Sequence, residues 1–585
     1  MSSLCRAILA IVALLPPDLE RSLLSYGSSC LPSISLTLKP HLIDQNNGLE
    51  HARLEMVMVM DVPRLHADQA LIAIDLVREI VPSQPYNNQS VQISDQKGIL
   101  PIRTEDICSD GVPRRTWYLQ RATKGRISLK FTAVPRKVNR NTRIAARTDL
   151  RYESGGMQGS GVTILPEPAF PKAMLQNWNF KVQWDLSDAP QRTRAIWTFG
   201  EGPKVVTHIG PASDLIQSIF SVGHVNSYPA LSQDFKTFGM YWFGDLPPNI
   251  VAMQKYEETT FHAMSRFWKD PPGPKNAYRI FVRNSAPANG YGGTEFTRSY
   301  MLEYDSRIQN ITNDDLTQLL THEMVHNWPH MGKRAGEPGA NKANEDGSWF
   351  TEGVADYYAG YFPYKIKTRT AEWSRTQVNL FLSQYYTNPA IRQPNAEARR
   401  NAWSDANGQM MIYSRGWAYL TMLDEQVRQA SKGKRSLDNL VMKMIDCMRR
   451  RKDYSMKAWT TLVRKELGKP AVDELHNMVD GSFIKPLPTR SVPPMKLVRQ
   501  DREVLDVGFN LSSYSSHIVT GLKPGSRAEQ AGVREGDKIT KIISLWSLAE
   551  TYEMNNSMTL ERDGKSLEVN YWPRSGTTAE CYQFV

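Results

Sequence analysis

The sequence of 585 residues predicts a multidomain α+β protein: an N-terminal antiparallel β domain, a mainly helical central domain and a smaller C-terminal domain. Three observations predict this order. Apolar and polar residues alternate in several segments before residue 205, and helical spacing dominates over 206–485. A proline-rich stretch at 486–497 then reads as a linker, and strand patterns return over 498–585.

The composition excludes several classes of protein. Hydrophobic residues make up 41% of the chain and charged residues 22%, which is enough to form sizeable cores. The sequence lacks a run of about 18 apolar residues, so an integral membrane span is not expected. Five cysteines without a C-x-x-C pair argue against a disulfide scaffold and a cysteine-type zinc site. The net charge of +11 is spread over a long chain, so a nucleic-acid partner is not expected either.

Residues 1–33 are predicted to be an N-terminal extension or a signal segment. Arg6 precedes the apolar run 7–15, and Pro16 ends it, which is the order of regions in a signal peptide. A cleavage site of small residues does not follow closely, so a buried helix is the alternative. The compartment therefore stays open: the cytoplasm is favoured, and residues 1–25 would also permit the secretory pathway.

Residues 34–205 are predicted to form the β-rich domain. In three segments apolar side chains occupy alternate positions, which is the period of a strand with one buried face. These positions are Ile34, Leu36 and Leu38; Ile127, Leu129, Phe131 and Ala133; and Phe180, Val182, Trp184 and Leu186. The basic stretch 136–151 is interpreted as a charged strand edge, with a phosphate-binding patch as the alternative.

Residues 316–328 predict an amphipathic helix that carries a metal site. Apolar residues recur at helical spacing, and Thr312 can cap the first turn. On such a helix His322 and His326 lie one turn apart on one face and can bind the same Zn²⁺. Glu323 follows the first of them and can act as the general base that takes a proton from water. The alternative is two unrelated histidines on an ordinary surface helix.

A second predicted helix, residues 349–361, supplies the rest of this site. Glu352 is a natural third ligand, and Asp356 lies one turn later on the same face, where it can accept the ring N–H of a zinc-bound histidine. Three nitrogen and oxygen ligands leave one position open, as in catalytic zinc sites. We therefore expect one Zn²⁺ per chain, and we expect the helix to end before Pro363.

The sequence HEMVH at 322–326, followed by WFTEGVADYY at 349–358, resembles the gluzincin metallopeptidases, and within them the glycyl aminopeptidase family. Four further segments are similar to that family: DLRYESGGMQGSG (149–161), WTFGEGP (197–203), YGGTEFTRSYML (291–302) and IYSRGWAYLTMLDEQVR (412–428). The resemblance spans about residues 34–580. It implies an N-terminal β domain, a thermolysin-like catalytic domain over 206–485, and a C-terminal PDZ domain.

The resemblance also implies a substrate-binding strand. Gly292, Gly293 and Glu295 match the strand that binds peptide in related aminopeptidases. Glycines let a substrate backbone approach closely, and Glu295 could pair with a free α-amine. This sequence departs from the alanyl-type motif, because Thr294 replaces Met and Phe296 replaces Asn. An ordinary hairpin turn with a solvated carboxylate is therefore the alternative.

Tyr413 is a further residue singled out by the resemblance. It stands in Y-S-R-G, which resembles the Y-x-K-G segment whose tyrosine stabilises the oxyanion in related aminopeptidases, with Arg415 in place of Lys. A phenol O–H near the metal can donate to that oxyanion. The alternative is that Tyr413 only packs against its neighbours and takes no part in the reaction.

The C-terminal stretch 519–542 resembles a PDZ domain, a module that binds extended peptides by strand addition. Residues 528–531 are predicted to form a short helix ended by Gly532. Asp563 and Gly564 predict a two-residue hairpin turn. A peptide ligand at this domain is therefore expected, and a module that only packs against the catalytic domain is the alternative.

Together these patterns predict a zinc-dependent peptidase that uses a metal-activated water, and within that class an aminopeptidase favouring Gly or Ala at the N-terminus of a peptide or protein substrate. A zinc endopeptidase, a zinc hydrolase of another substrate class, and an inactive PDZ-containing scaffold are the alternatives. The scaffold is disfavoured because His322, Glu323, His326 and Glu352 are all present.

Overall fold

The computed structural model describes residues 31–585, apart from 44–50, 110–111, 141, 143–145, 172, 174–175, 231–236, 289, 309–310, 333–346, 403 and 489–495. Residues 1–30 of the predicted extension or signal segment (1–33) and most of the predicted linker (486–497) lie outside the described residues. The chain divides into two compact units: residues 1–254 with 271–309, and residues 255–270 with 310–585. The finer domain boundaries expected at 205, 485 and 497 stay a prediction.

The first unit is built mainly from strands. They are β1 (Ser33–His41), β2 (Arg53–Asp61), β3 (Ala70–Asp75), β4 (Val77–Arg78), β5 (Val81–Pro82), β6 (Gln92–Asp95), β7 (Gly98–Ile99), β8 (Ile102–Ser109), β9 (Val112–Leu119), β10 (Ile127–Ala133), β11 (Arg151–Glu153), β12 (Gly156–Ser160), β13 (Glu167–Pro168), β14 (Asn177–Trp184), β15 (Arg194–Trp197), β16 (Gly200–Glu201), β17 (Val206–Pro211), β18 (Ile219–Gly223), β19 (Val225–Tyr228), β20 (Phe238–Phe243), β21 (Tyr278–Asn284), β22 (Gly292–Phe296) and β23 (Ser299–Tyr304). Its helices are α1 (Gly161–Ile164), α2 (Ala212–Ile216) and the start of α3 (Pro248–Phe267), which continues into the second unit.

The three alternating segments form β1, β10 and β14, as predicted, and all belong to one seven-stranded sheet of order β17-β14-β1-β2-β10-β6-β7. Buried and half-buried residues alternate along β1, so one face carries the core. Within residues 34–205 the expectation of a purely antiparallel domain is wrong at the pairing of β1 with β14, which is parallel. Later in the first unit, β21 also pairs in parallel with β20 and with β23. A period-two pattern is the same for both strand directions, so the sequence could not distinguish them.

The described part of the first unit contains three more sheets of at least four strands, with the orders β11-β12-β18-β15-β16, β13-β3-β9-β8 and β19-β20-β21-β23-β22. The last of these places β22 at an edge, where it pairs with β23 only. The predicted peptide-binding segment is therefore an edge strand.

The basic stretch 136–151 takes part in a buried ion-pair network. The Asp149 carboxylate accepts from Arg151 at 2.6 Å and from Arg136 at 3.2 Å, and Arg283 bridges Asp149 and Glu303 at 2.6 and 2.7 Å. Burial opposes ionisation, but the guanidinium groups lower the pKa of Asp149 to about 2. Arg136 and Arg151 therefore pair with a buried carboxylate, so for these two residues both the strand-edge and the phosphate-patch interpretations are wrong.

The second unit is mainly helical. Its helices after α3 are α4 (Asn313–Val325), α5 (Ser348–Lys365), α6 (Ala371–Tyr386), α7 (Asn395–Arg400), α8 (Ala406–Ala430), α9 (Leu437–Arg449), α10 (Met456–Leu467), α11 (Lys469–Val479), α12 (Ser513–Ser516), α13 (Arg527–Gln530) and α14 (Leu545–Glu550). Its strands are β24 (Leu497–Arg499), β25 (Arg502–Leu505), β26 (Lys538–Lys541), β27 (Asn556–Arg562), β28 (Lys565–Tyr571), β29 (Arg574–Ala579) and β30 (Tyr582–Phe584). Along the part of the chain that the structure describes, no helix is both long and apolar enough to cross a membrane.

We call residues 496–585 the C-terminal module. Its small sheets are β24-β30, β25-β29 and β26-β27-β28. The predicted hairpin turn between β27 and β28 is confirmed, with positive φ at both Asp563 (51°) and Gly564 (71°). The short helix α13 is confirmed as well, and Gly532 follows it with a φ of 96°.

The C-terminal module packs on the central helices within the second unit. The Leu505 N–H donates to the Thr387 carbonyl at 2.8 Å, and the Asn379 side chain donates to the Phe584 carbonyl at the same distance. Met410 of α8 also joins the apolar core of the module. The module is therefore attached to the helices α6 and α8 at several points.

Candidate active site

The helix α4 presents the histidine pair. It begins with a capping box, in which Thr312 Oγ1 accepts from the Asp315 N–H at 3.2 Å and Asp315 accepts from the Thr312 N–H at 2.8 Å. It ends at Val325, earlier than predicted, because the next residues form a tighter turn closed by the Trp328 N–H on the Val325 carbonyl. His326 is therefore the C-terminal cap of the helix.

Three predicted ligands converge at one point. His322 Nε2 lies 3.0 Å from His326 Nε2, and Glu352 Oε2 lies 3.3 Å from the first and 3.5 Å from the second. Tetrahedral zinc with bonds of about 2.0–2.1 Å separates its ligand atoms by about 3.3–3.4 Å. The spacing of these donor atoms therefore fits a single zinc ion, and the nitrogen and oxygen donors fit its chemistry.

Asp356 fixes the orientation of His322. Its Oδ1 lies 2.7 Å from His322 Nδ1 and also accepts from Gln318 Nε2 at 3.3 Å. A proton on Nδ1 leaves Nε2 with a lone pair directed towards His326 and Glu352, which is the form that a metal ligand needs. The role predicted for Asp356 agrees with this geometry.

The charges around the three side chains favour a cation. Burial would lower the pKa of His322, but the carboxylates of Asp356 and Glu352 raise it well above its ordinary value. Burial would likewise raise the pKa of Glu352, but His326 and His322 lower it well below its ordinary range. Glu352 therefore keeps its negative charge beside the two imidazoles, where a bound cation would be stabilised.

Glu323 is on α4 directly after His322, and its side chain is buried, with 8% exposed. A carboxylate beside the proposed metal ligands is a candidate general base for a metal-bound water.

A pair of glycines brings the second predicted helix against α8. A Cβ atom on Gly353 would lie 2.5 Å from the Gly416 carbonyl carbon, and one on Gly416 would lie 2.0 Å from the Trp349 carbonyl oxygen. The backbones of α5 and α8 therefore touch directly, one residue after Glu352 and three residues after Tyr413. Sequence analysis missed this contact, although both glycines lie in segments that it singled out as functional.

The helix α5 does not end before Pro363 as predicted, but continues to Lys365. Pro363 lies in its last turn, where a missing N–H removes one hydrogen bond of a helix that is already ending. Phe362 and Pro363 are buried, so packing also favours the continuation.

Tyr413, on α8, lies beside the histidine pair. Its ring centroid is 6.0 Å from that of His322, and the two ring planes differ by 24°. On another side it contacts Trp546 of the C-terminal module, with centroids 5.3 Å apart at 87°. The structure thus brings together His322, Glu323, His326, Glu352, Asp356 and Tyr413 in the second unit.

The predicted substrate strand belongs to the first unit. Gly292, Gly293 and Glu295 are on β22, and Arg147 packs against it. The Arg147 N–H donates to Thr294 Oγ1 at 2.8 Å, and its guanidinium donates to the Gly293 carbonyl at 2.8 Å. Arg147 therefore fixes the backbone of this edge strand, a role that the sequence did not indicate.

Residues 315–418 match the model of the M61 glycyl aminopeptidase family. An aminopeptidase N family protein from Idiomarina loihiensis has a similar structure, with a TM-score of 0.62 at 13% identity over 94% of this chain and 98% of that one. An M1 zinc metallopeptidase mutant from Deinococcus radiodurans, bound to a Tyr-Ser-Ala substrate, gives a TM-score of 0.50 at 15% identity over 78% of this chain and 95% of that one. No curated protein sequence matches the chain.

Both structural likenesses concern the fold, because the identities are low. The family match is independent of them and covers the segment that contains HEMVH, Glu352 and Tyr413. The resemblance read from the sequence is confirmed for residues 315–418, which match the model of the M61 glycyl aminopeptidase family.

Proposed function

We propose that the protein is a zinc-dependent aminopeptidase that removes small N-terminal residues, Gly or Ala, from peptides. One observation carries the proposal: His322, His326 and Glu352 offer three donor atoms 3.0–3.5 Å apart, the spacing of ligands around one zinc ion. When bound, zinc would polarise the scissile carbonyl and acidify a water molecule.

The other residues of the site would move protons and stabilise charge. Glu323 would take the proton from the attacking water and pass it to the departing amine. Tyr413 would donate its phenol O–H to the oxyanion that forms on the substrate carbonyl, since its ring lies beside His322. Asp356 would keep the His322 ring in its metal-binding tautomer.

The aminopeptidase part of the proposal rests on Glu295 and on the family. Gly292, Gly293 and Glu295 lie on an edge strand, where backbone groups can bond an extended peptide and a carboxylate can pair with a free α-amine. The proposed preference for Gly or Ala rests on the sequence resemblance to the glycyl aminopeptidase family alone, and the name of the matched family supports only glycine. A peptide as substrate agrees with the Tyr-Ser-Ala peptide bound to the Deinococcus radiodurans protein.

The C-terminal module is proposed to be a PDZ domain on the resemblance of residues 519–542. The confirmed hairpin at Asp563–Gly564 and the short helix α13 agree with this proposal. A peptide ligand of this module stays part of the proposal.

The testing experiment compares free and N-acetylated peptides that begin with Gly or Ala, using protein loaded with zinc. We expect about one zinc per chain, loss of hydrolysis in chelator, and kcat/KM at least about tenfold higher on free peptides, because acetylation removes the charge that Glu295 would bind. Glu295→Ala should lose most of that difference, whereas Glu295→Asp keeps the charge and should retain part of it.

The opposite outcomes select the alternatives. Equal cleavage of free and blocked peptides by the wild type would identify a zinc endopeptidase. Zinc binding without hydrolysis of any peptide would favour an inactive scaffold or a hydrolase of another substrate class. Full activity of metal-free protein would overturn the zinc assignment itself.

A further inference from the structure

The C-terminal module reaches the proposed active site through one short helix, α14 (Leu545–Glu550). This helix packs on α6, where Ser383 Oγ donates to the Ala549 carbonyl at 3.0 Å. Trp546 and Glu550 are four residues apart and therefore lie on one face of the helix. Burial, together with the charges of Asp356 and Asp315, raises the pKa of Glu550 to about 8. On the same face, Trp546 contacts Tyr413 of α8.

Trp546 contacts the tyrosine of the site directly. The indole ring meets the Tyr413 ring nearly at right angles, at 87°, with centroids 5.3 Å apart, the edge-to-face geometry that aromatic pairs favour. His322 lies at 6.0 Å on another side of the same tyrosine ring, nearly parallel to it. Tyr413 therefore lies between a proposed metal ligand and a residue of the C-terminal module.

The indole is itself held in place, because Trp546 packs against the apolar core of the module. Tyr413 and Trp546 are both half-buried, so their contact is at the rim of a core rather than inside it. Removal of the indole would take away one of the contacts that limit rotation of the Tyr413 side chain. A phenol displaced by about 1 Å from its productive position loses much of its effect on a reaction.

We propose that Trp546 is a positioning residue, which holds the Tyr413 phenol in its productive orientation, so that the C-terminal module completes the active site. This inference rests on the proposed function, because it assigns Tyr413 a role in turnover. It goes beyond that function in giving the C-terminal module a part in catalysis that does not depend on binding a peptide.

The first experiment is a double-mutant cycle on the full-length, zinc-loaded protein. Trp546→Ala should lower kcat about three- to tenfold with little change in KM or zinc content, because an edge-to-face pair contributes at this level. Trp546→Phe keeps an aromatic edge and should recover most of the loss. In a Tyr413→Phe background, Trp546→Ala should have no further effect, since the group that it positions is gone.

The second experiment needs no activity. Tyrosines are replaced by 3-fluorotyrosine, and the Tyr413 signal in the ¹⁹F NMR spectrum is assigned as the one missing from Tyr413→Phe. Trp546→Ala should shift and sharpen this signal because the ring becomes mobile. Trp572→Ala is the matched control: Trp572 makes the same edge-on contact with Tyr552 inside the module, at 5.2 Å and 83°, and its removal should leave the Tyr413 signal and kcat unchanged.

The outcomes separate this inference from the proposed function. A wild type that hydrolyses no peptide overturns the proposed function, and the positioning role with it. If the wild type is active, three results would overturn the positioning role alone. They are an unchanged kcat in Trp546→Ala, the same loss of kcat from Trp546→Ala in the Tyr413→Phe background, or an equal loss of kcat in Trp572→Ala.

Discussion

Glu323 is the residue whose substitution separates metal binding from turnover. Its side chain is buried on α4 beside the ligands but is not one of the three converging donors. Glu323→Gln should therefore keep about one zinc per chain and lose more than nine tenths of kcat, because an amide cannot take a proton from water. Metal analysis and steady-state kinetics of the same preparation check this.

Glu352→Gln is the control for that prediction. It removes a ligand charge, so it should lose zinc as well as activity. A Glu323→Gln variant that retains zinc and more than about a tenth of the wild-type kcat would show that another group is the base.

At the residue scale, the spacing of a few side chains explains why the candidate metal site could be predicted from the sequence. His322, Glu323 and His326 lie within one helical turn, so their geometry follows from their spacing. Glu352 and Asp356 repeat that logic on a second helix, with distances of 3.3 Å and 2.7 Å to His322 in the structure. Arg147 and Trp546 could not be found in this way, because they reach functional residues through tertiary contacts only.

At the scale of elements, the crossing of α5 and α8 decides the distance between Glu352 and Tyr413. Gly353→Ala should separate these helices, because its Cβ atom would lie 2.5 Å from backbone of Gly416, closer than packed atoms can approach. We expect zinc affinity and kcat to fall at least about tenfold, and the free energy of unfolding to fall by about 1–3 kcal/mol.

Gly360→Ala is the matched control on the same helix. Its Cβ atom would make an ordinary contact, 3.5 Å from the Phe381 ring, and alanine has the higher helix propensity by about 1 kcal/mol. This variant should keep both zinc and activity. Zinc titration and thermal unfolding of the two variants test the comparison, and equal behaviour of both would show that the close crossing does not control the site.

Elements were predictable where their patterns are local. Alternating apolar and polar residues predicted β1, β10 and β14, and the dipeptide Asp563–Gly564 predicted a hairpin turn. Strand partners were not predictable, since the parallel pairing of β1 with β14 joins segments far apart in the sequence. The prediction that α5 ends before Pro363 was wrong for a related reason. Burial of the last turn of the helix outweighs the local helix-breaking effect of proline.

At the scale of the whole molecule, the two units differ in the charged groups that their interiors contain. The second unit buries a few charged groups around a proposed metal site. The first unit buries the ion-pair network of Asp149, Arg283 and Glu303, and Glu153 lies half-buried beside it. Stability of the first unit should therefore depend on pH through this network, independently of zinc.

The pKa of Glu153 determines in which direction the stability of the first unit changes with pH. Burial raises its pKa from 4.5 to about 7, although the carboxylate accepts from the Asn284 N–H at 3.0 Å. Between pH 4.5 and about 7 the folded state then holds a proton that the unfolded state has released. The free energy of unfolding should therefore decrease as the pH rises through this window, by up to about 3 kcal/mol.

Glu153→Gln cannot ionise, so it should lack this decrease and become more stable than the wild type as the pH rises from 4.5 to 8. The measurement is urea unfolding at several pH values, followed by pulsed hydrogen exchange on peptides that contain β11 and β12, which report on the first unit alone. Glu105→Gln, at an exposed position of β8, is the control and should follow the wild type. A stability difference between Glu153→Gln and the wild type that stays constant from pH 4.5 to 8 would show that Glu153 is already ionised in the folded protein. The guanidinium of Arg283, whose charge lowers the pKa of Glu153, would then outweigh its burial.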